Sequence, residues 1–264
     1  MIKINSAFSL FSLITILLFT GFPTTASAEI KTVAEAINKA GRQRMLTQRI
    51  VRAYSQVGLN VKKAESEKML ADAVNLFDEQ LAELTAFAKT DKLKKRVEKV
   101  HKLWPAFKKT ATGKVDKKGA GKLLDTNDTL LKACHDLVVE FQDFSGAKSG
   151  RLVNISGRQR MLSQRIAKFY MLKEWGFEGA GIQGDSNRAF TEFRSALTTL
   201  QESALNTNKI KQALNSAGKH FDDYHTMLEL SGTGARIKVA EKADLLLLYF
   251  NRITGMYQKV AEKK

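Results

Sequence analysis

The decapeptide Gly41-Arg-Gln-Arg-Met-Leu-Thr-Gln-Arg-Ile50 returns as Gly157-Arg-Gln-Arg-Met-Leu-Ser-Gln-Arg-Ile166, with nine of ten positions identical and Ser163 in place of Thr47. The chemistry these residues offer is anion binding. A guanidinium is flat, permanently charged and presents its N–H groups as a fork, so it holds a planar oxyanion through paired, charge-assisted hydrogen bonds. At the helical angle of about 100° per residue, Asn38, Arg42, Met45, Arg49 and Arg52 fall along one stripe. Arg44, Thr47, Gln48 and Val51 occupy the neighbouring face. Gly41 and Gly157 sit inside these helices, where glycine costs about 1 kcal/mol relative to alanine, so a packing reason is expected. Next to Ala40 and Ser156 respectively, they would let a second helix come close. If the two motif helices pack together, their arginines converge, and a bridging oxyanion would relieve the repulsion. The alternative is structural: bundle arginines pair with carboxylates on neighbouring helices, and Asp78, Glu79, Glu83 and Asp128 are available.

The scaffold around the motif is itself duplicated. The offset of 116 residues also aligns Asn38 with Asn154 and Tyr54 with Tyr170, which marks an internal repeat. From Thr32 the apolar spacing is helical, with Val33, Ile37, Ala40, Val51 and Tyr54 on a first helix that ends near Gly58. A second helix is expected over roughly 64–89 and a third from Asp91 toward Phe107, kinked or ended by Pro105. Residues 110–121 read as a lysine- and glycine-rich loop, and a fourth helix as roughly 127–144. The second copy replays the order: a first helix over 151–175, a glycine-rich turn over 176–184, two apolar stripes, a loop at 231–234 and a last helix over 245–257. The join at 145–150 is short and reads as continuous helix rather than linker. The expected fold class is all-α, two tandem antiparallel four-helix bundles. The divisions are 1–28, 29–146 and 147–264.

Residues 1–28 have the pattern of a secretory signal peptide: a weakly basic start, an apolar stretch over 7–22 and a small-x-small site ending at Ala28. An exported, periplasmic chain is expected, with no later apolar run long enough to span a bilayer. The formal net charge is +16, a balance that attracts anions of any kind. Aromatic residues are too few for a base-stacking platform, so no nucleic-acid partner is expected. The lysines between Lys92 and Lys118 read as a solvated helix face and loop. Cys134 is the only cysteine; it lies on an apolar helical stripe and reads as a buried structural thiol. No metal or other cofactor is expected. No nucleophile–base pair, carboxylate dyad or phosphate loop is present, and His101, His135, His220 and His225 are scattered, so the chain does not read as an enzyme.

The string Asn-x-x-Gly-x-x-Arg-Met-x-x-x-Arg, from Asn38 and again from Asn154, resembles the P box of the PilJ/NarX-like family. That family comprises the N-terminal domains of type IV pilus chemoreceptors and the periplasmic domains of nitrate/nitrite sensor kinases. The resemblance implies an all-helical sensory bundle with the P box on its first helix. It implies that the last motif arginine, Arg49 and Arg165 here, grips nitrate, with Arg44, Arg160, Gly41, Gly157, Asn38 and Asn154 as the rest of the motif. Gln43 and Gln159 stand where the nitrate sensors carry an apolar residue, and Leu-Thr-Gln or Leu-Ser-Gln replaces their Gln-Ser-Tyr; this is closer to the pilus chemoreceptor branch. The implied function is a periplasmic binding protein for a small anion, nitrate or nitrite first. Lacking a relay helix, kinase or methyl-accepting coiled coil, it would act with a membrane-bound sensor or chemoreceptor. The two repeats would form their site within one chain or by pairing in a homodimer. The competing reading is a ligand-free module docking on a pilus or chemoreceptor component.

Overall fold

In the computed structural model, residues 29–146 and 148–263 are described, and the signal-peptide expectation falls outside them. The described residues form eight α-helices: α1 (Val33–Gly58), α2 (Lys63–Phe87), α3 (Asp91–Ala111), α4 (Lys117–Ser145), α5 (Lys148–Glu174), α6 (Ala180–Gln201), α7 (Asn208–Met227) and α8 (Thr233–Glu262). Short connections reverse the chain at each step, so odd-numbered helices run one way and even-numbered ones the other. Within each half, every helix packs against its sequence neighbours and the first against the fourth, which makes two four-helix bundles. The most extensive packing of all joins the halves, α1 against α5, with α8 touching α1 and α4 touching α5. One contiguous apolar core therefore runs through both bundles. Helix α1 is buried on every face from Gln43 to Gln48, as a helix enclosed by five others must be.

The capping chemistry is local. The hydroxyls of Thr32, Thr90 and Thr207 accept from Glu35, Leu93 and Ile210 N–H at the starts of α1, α3 and α7. Both bundles are pinned by stacked rings in the same place, Phe77 on Trp104 at 3.8 Å and Phe193 on Phe221 at 3.9 Å.

Several expected boundaries shift. Helix α3 runs through Pro105 to Ala111; the carbonyl the proline frees belongs to exposed residue 101, where water can take it. Helix α4 starts about ten residues earlier than the apolar stripe suggested. Asp116 caps it, accepting from Gly119 N–H at 2.7 Å, and the Tyr54 hydroxyl accepts from Asp116 N–H while donating to the Lys114 carbonyl. A Cβ at Gly119 would collide with that hydroxyl, which is why a glycine opens this helix. Helix α8 likewise begins at Thr233, carried by the small buried residues Ala235, Val239, Ala240 and Ala243. Helix α6 begins at Ala180, so the glycine-rich turn is shorter than expected and Gly181 and Gly184 are helical. The join is not continuous helix: Gly146, at φ 60°, ends α4 in a left-handed cap.

Candidate functional site

Side chains at the α1–α5 seam obey the duplication in three dimensions. Gln43 donates to the Phe77 carbonyl and Gln159 to that of Phe193. Tyr54 donates to the Lys114 carbonyl and Tyr170 to that of Leu230. Each pair is related by 116 residues, so α1 and α5 lie parallel about a pseudo-twofold axis. The contacts between the halves are reciprocal.

Arg44 and Arg160 occupy the middle of this seam, 1% and 0% exposed. Arg44 donates from Nη2 to the carbonyl and side-chain oxygens of Asn154 at 3.2 and 2.8 Å, and from Nη1 to His135 Nδ1 at 3.1 Å. Arg160 crosses the other way, to the Asn38 carbonyl at 3.0 Å and Asn251 Oδ1 at 3.3 Å. Asn38 and Asn154 are held in turn by Gln258 and Gln142 at 2.6 and 2.7 Å. Among the described residues, no carboxylate pairs with either guanidinium, and the Nε of each has no partner. Burial lowers the Arg44 pKa to about 9, helped by Arg158, and lowers that of Arg160 well below normal, with Arg42 and Arg44 adding repulsion. His135 is pushed down to about 4 by burial and by the Arg44 and Arg158 charges. It is therefore neutral at pH 7 and accepts through Nδ1.

The two motif glycines lie directly against these guanidiniums. A Cβ at Gly157 would lie 3.1 Å from Arg160 Nη2, and one at Gly41 would lie 3.3 Å from Arg160 Nη2 and 3.4 Å from Arg44 Nη2. Beside Gly41 the space is shared by Arg160 across the seam and Arg44 of its own helix; beside Gly157 it is taken by Arg160 of its own helix, with Arg44 at 3.8 Å.

Arg49 and Arg165 are arranged differently. Arg49 pairs with Asp244 at 2.7 Å and Arg165 with Asp128 at 2.9 Å, each reaching into the other half. Arg165 also lies 3.6 Å from Asp185. Of the carboxylates expected to pair with motif arginines, Asp128 does so; Asp78 instead holds Lys108 and the Trp104 indole. Its counterpart Asp244 escaped notice, although the same offset of 116 from Asp128 points to it. Asp244 also accepts from fully buried Arg52 at 2.8 and 3.0 Å. Burial alone would raise the Asp244 pKa, but the charges and hydrogen bonds of Arg52 and Arg49 outweigh it and the net shift is downward.

Beside Arg44, a cavity of about 240 Å³ opens between α4 and α5, lined by Arg44, Arg158, Arg165, Lys132, His135 and Asp128. Four cationic side chains face one carboxylate there. Lys132, His135 and Arg158 were not singled out as site residues. What could have found His135 is its place on the buried face of α4, beside Cys134, which is indeed a buried free thiol. Among the described residues no group of His, Cys, Asp or Glu could hold a metal ion, and no helix is long and apolar enough to cross a membrane.

The family described as type IV pili methyl-accepting chemotaxis transducer N-term (PilJ) matches the chain twice, over residues 25–130 and 144–260. No curated protein and no solved structure matches it.

Proposed function

From the premise that this chain belongs to the PilJ family, in two copies, which places it in a chemoreceptor-associated sensory context, we propose that it is a periplasmic binding protein for a small oxyanion. The anion, nitrate or nitrite first, lies at the α1–α5 seam between Arg44 and Arg160 and enters from the groove between α4 and α5. The observation that carries this reading is the pair of enclosed guanidiniums with no carboxylate among the described residues. A buried charge without a counterion is costly by several kcal/mol, and neutral amide oxygens offset only part of that. A flat anion would supply the missing charge and engage the unpartnered Nε atoms.

Arg49 and Arg165 belong to the proposed site in a second role. Each already holds a carboxylate of the other half, so an anion reaching them competes with Asp244 or Asp128. Anion binding would thereby loosen contacts between the bundles, a change that a membrane-bound chemoreceptor could read. No catalytic step is assigned.

The test is titration calorimetry of the chain from residue 29 with nitrate, nitrite, sulfate and chloride at fixed ionic strength. Saturable binding of one anion is expected, abolished in Arg44→Gln and in Arg160→Gln. Affinity should fall as pH rises through about 9, where Arg44 loses its proton. Absence of saturable binding by the folded protein overturns the reading and leaves the docking module as the successor. Loss in Arg49→Ala alone, with Arg44→Gln unaffected, would move the site to the outer arginines.

A further inference from the structure

A second cavity, sharing no residue with the arginine groove, lies among α5, α6 and α7 and measures about 540 Å³. Its accessible surface is mostly polar, with Gln183, Asn187 and Thr191 among the lining residues, over an aromatic base. Phe169 and Tyr170 are buried, and Phe190 packs on Phe221 at 4.5 Å and on His225 at 4.3 Å. Ser186 lines one side. At the rim stand Lys173 and Glu229, both exposed, of opposite charge, and neither in an ion pair among the described residues.

The first bundle serves as an internal control. At the offset of 116, Ser186 stands where the first half has Leu70, Phe169 where it has Ala53, and Phe190 where it has Val74. Leu70, Ala53 and Val74 are buried core residues. In the second half two larger rings, Phe169 and Phe190, stand beside the cavity, and a serine takes the place of the leucine. The residues beside this cavity are thus places where the second copy departs from the first. The cavity volume lies within the range of about 300–1,000 Å³ typical of small-molecule sites.

We propose that this cavity binds a free α-amino acid with a large apolar or aromatic side chain. The side chain lies against Phe190 and His225, the carboxylate faces Lys173 and the ammonium faces Glu229. The paired rim charges select a zwitterion: a simple anion would meet Glu229, and a simple cation would meet Lys173. A ring on the ligand gains the offset or edge-on packing available from the accessible parts of Phe190 and His225.

The experiment is calorimetry on the chain from residue 29 with L-phenylalanine, L-leucine and L-tryptophan. Phenylacetate and phenethylamine serve as analogues that keep one charge each. Saturable one-to-one binding of at least one amino acid is expected, about tenfold tighter than either analogue. Ser186→Leu, which restores the residue of the first bundle, and Lys173→Glu, at an exposed position, should fold like wild type by circular dichroism and each weaken binding about tenfold or more. No saturable binding of any of the three at millimolar concentration overturns the proposal. So does binding retained in both variants. Equal affinity for the analogues overturns the zwitterion assignment. Nitrate titration of Ser186→Leu should match wild type, so this cavity and the arginine seam fail or succeed separately.

Discussion

Arg52 in α1 and Lys168 in α5 occupy the same place in the duplicated design, and their surroundings could hardly differ more. Arg52 is fully buried with all five N–H donors engaged: Nε on Gln56, Nη1 on Gln164 and Asp244, Nη2 on Asp244 and the Ala240 carbonyl. Lys168 is just as buried, yet its ammonium donates to Asn127 Oδ1 at 2.9 Å and otherwise lies over the Phe169 ring at 4.1 Å. One cation has a carboxylate and a complete set of acceptors. The other has a neutral amide, and burial lowers its pKa to about 7. Position in a repeat fixes which side chain is enclosed, not whether its charge is satisfied. That depends on the neighbour one residue along, Asp244 in one half against Asn127 in the other.

The comparison predicts opposite signs for the same substitution. Arg52→Met should cost about 1–3 kcal/mol in chemical denaturation, because it leaves the buried Gln164 oxygen poorly partnered and Asp244 with Arg49 alone. A loss below about 1 kcal/mol would remove the contrast. Lys168→Met, at pH 6, should leave stability unchanged or raise it by about 1 kcal/mol, since Asn127 Oδ1 still accepts from Gln48.

The pH dependence sharpens the same point. The folded-state pKa of Lys168 lies below its unfolded value, so between pH 7 and 9 the unfolded chain holds more protons than the folded one. Stability should therefore rise with pH across that window, by at most about 1.4 kcal/mol per unit, and the rise should vanish in Lys168→Met. Thermal melts at several pH values in both proteins check it.

Gly157→Ala should change stability by no more than about 1 kcal/mol, helix propensity gained offsetting the displaced Arg160 tip, while anion affinity drops. Equal affinity in wild type and variant would mean that the guanidinium position does not matter. The smallest effects belong to the outer pairs. Arg49→Ala and Arg165→Ala should each cost about 0.5–1 kcal/mol, because Asp244 and Asp128 are 42% and 60% exposed.

The duplicated string made much of this visible beforehand. It marked the helix that the others enclose, the all-α class and the arginines at the seam, because a residue pattern is enough to place a motif on a helix. The rank order among those arginines was not visible. Arg49 and Arg44 look equivalent as letters; they differ because Asp244 comes within reach of one from α8, while the other finds only Asn154 and His135. Helix starts at Lys117 and Thr233 were hidden for another reason. The caps that permit them depend on Tyr54 and on Glu174, residues distant in sequence. The cavity beside Ser186 joins residues of α5, α6 and α7 that sequence spacing does not bring together.

The parallel placement of α1 and α5 has a consequence for dose and copy number. A seam built from two separate molecules falls apart on dilution, and its response then depends on how much protein is present. Here the two sides are tethered by one polypeptide, so each stands at a high fixed effective concentration toward the other. If the seam takes the proposed anion, its occupancy would be set by ligand alone, with no dependence on the concentration of the protein.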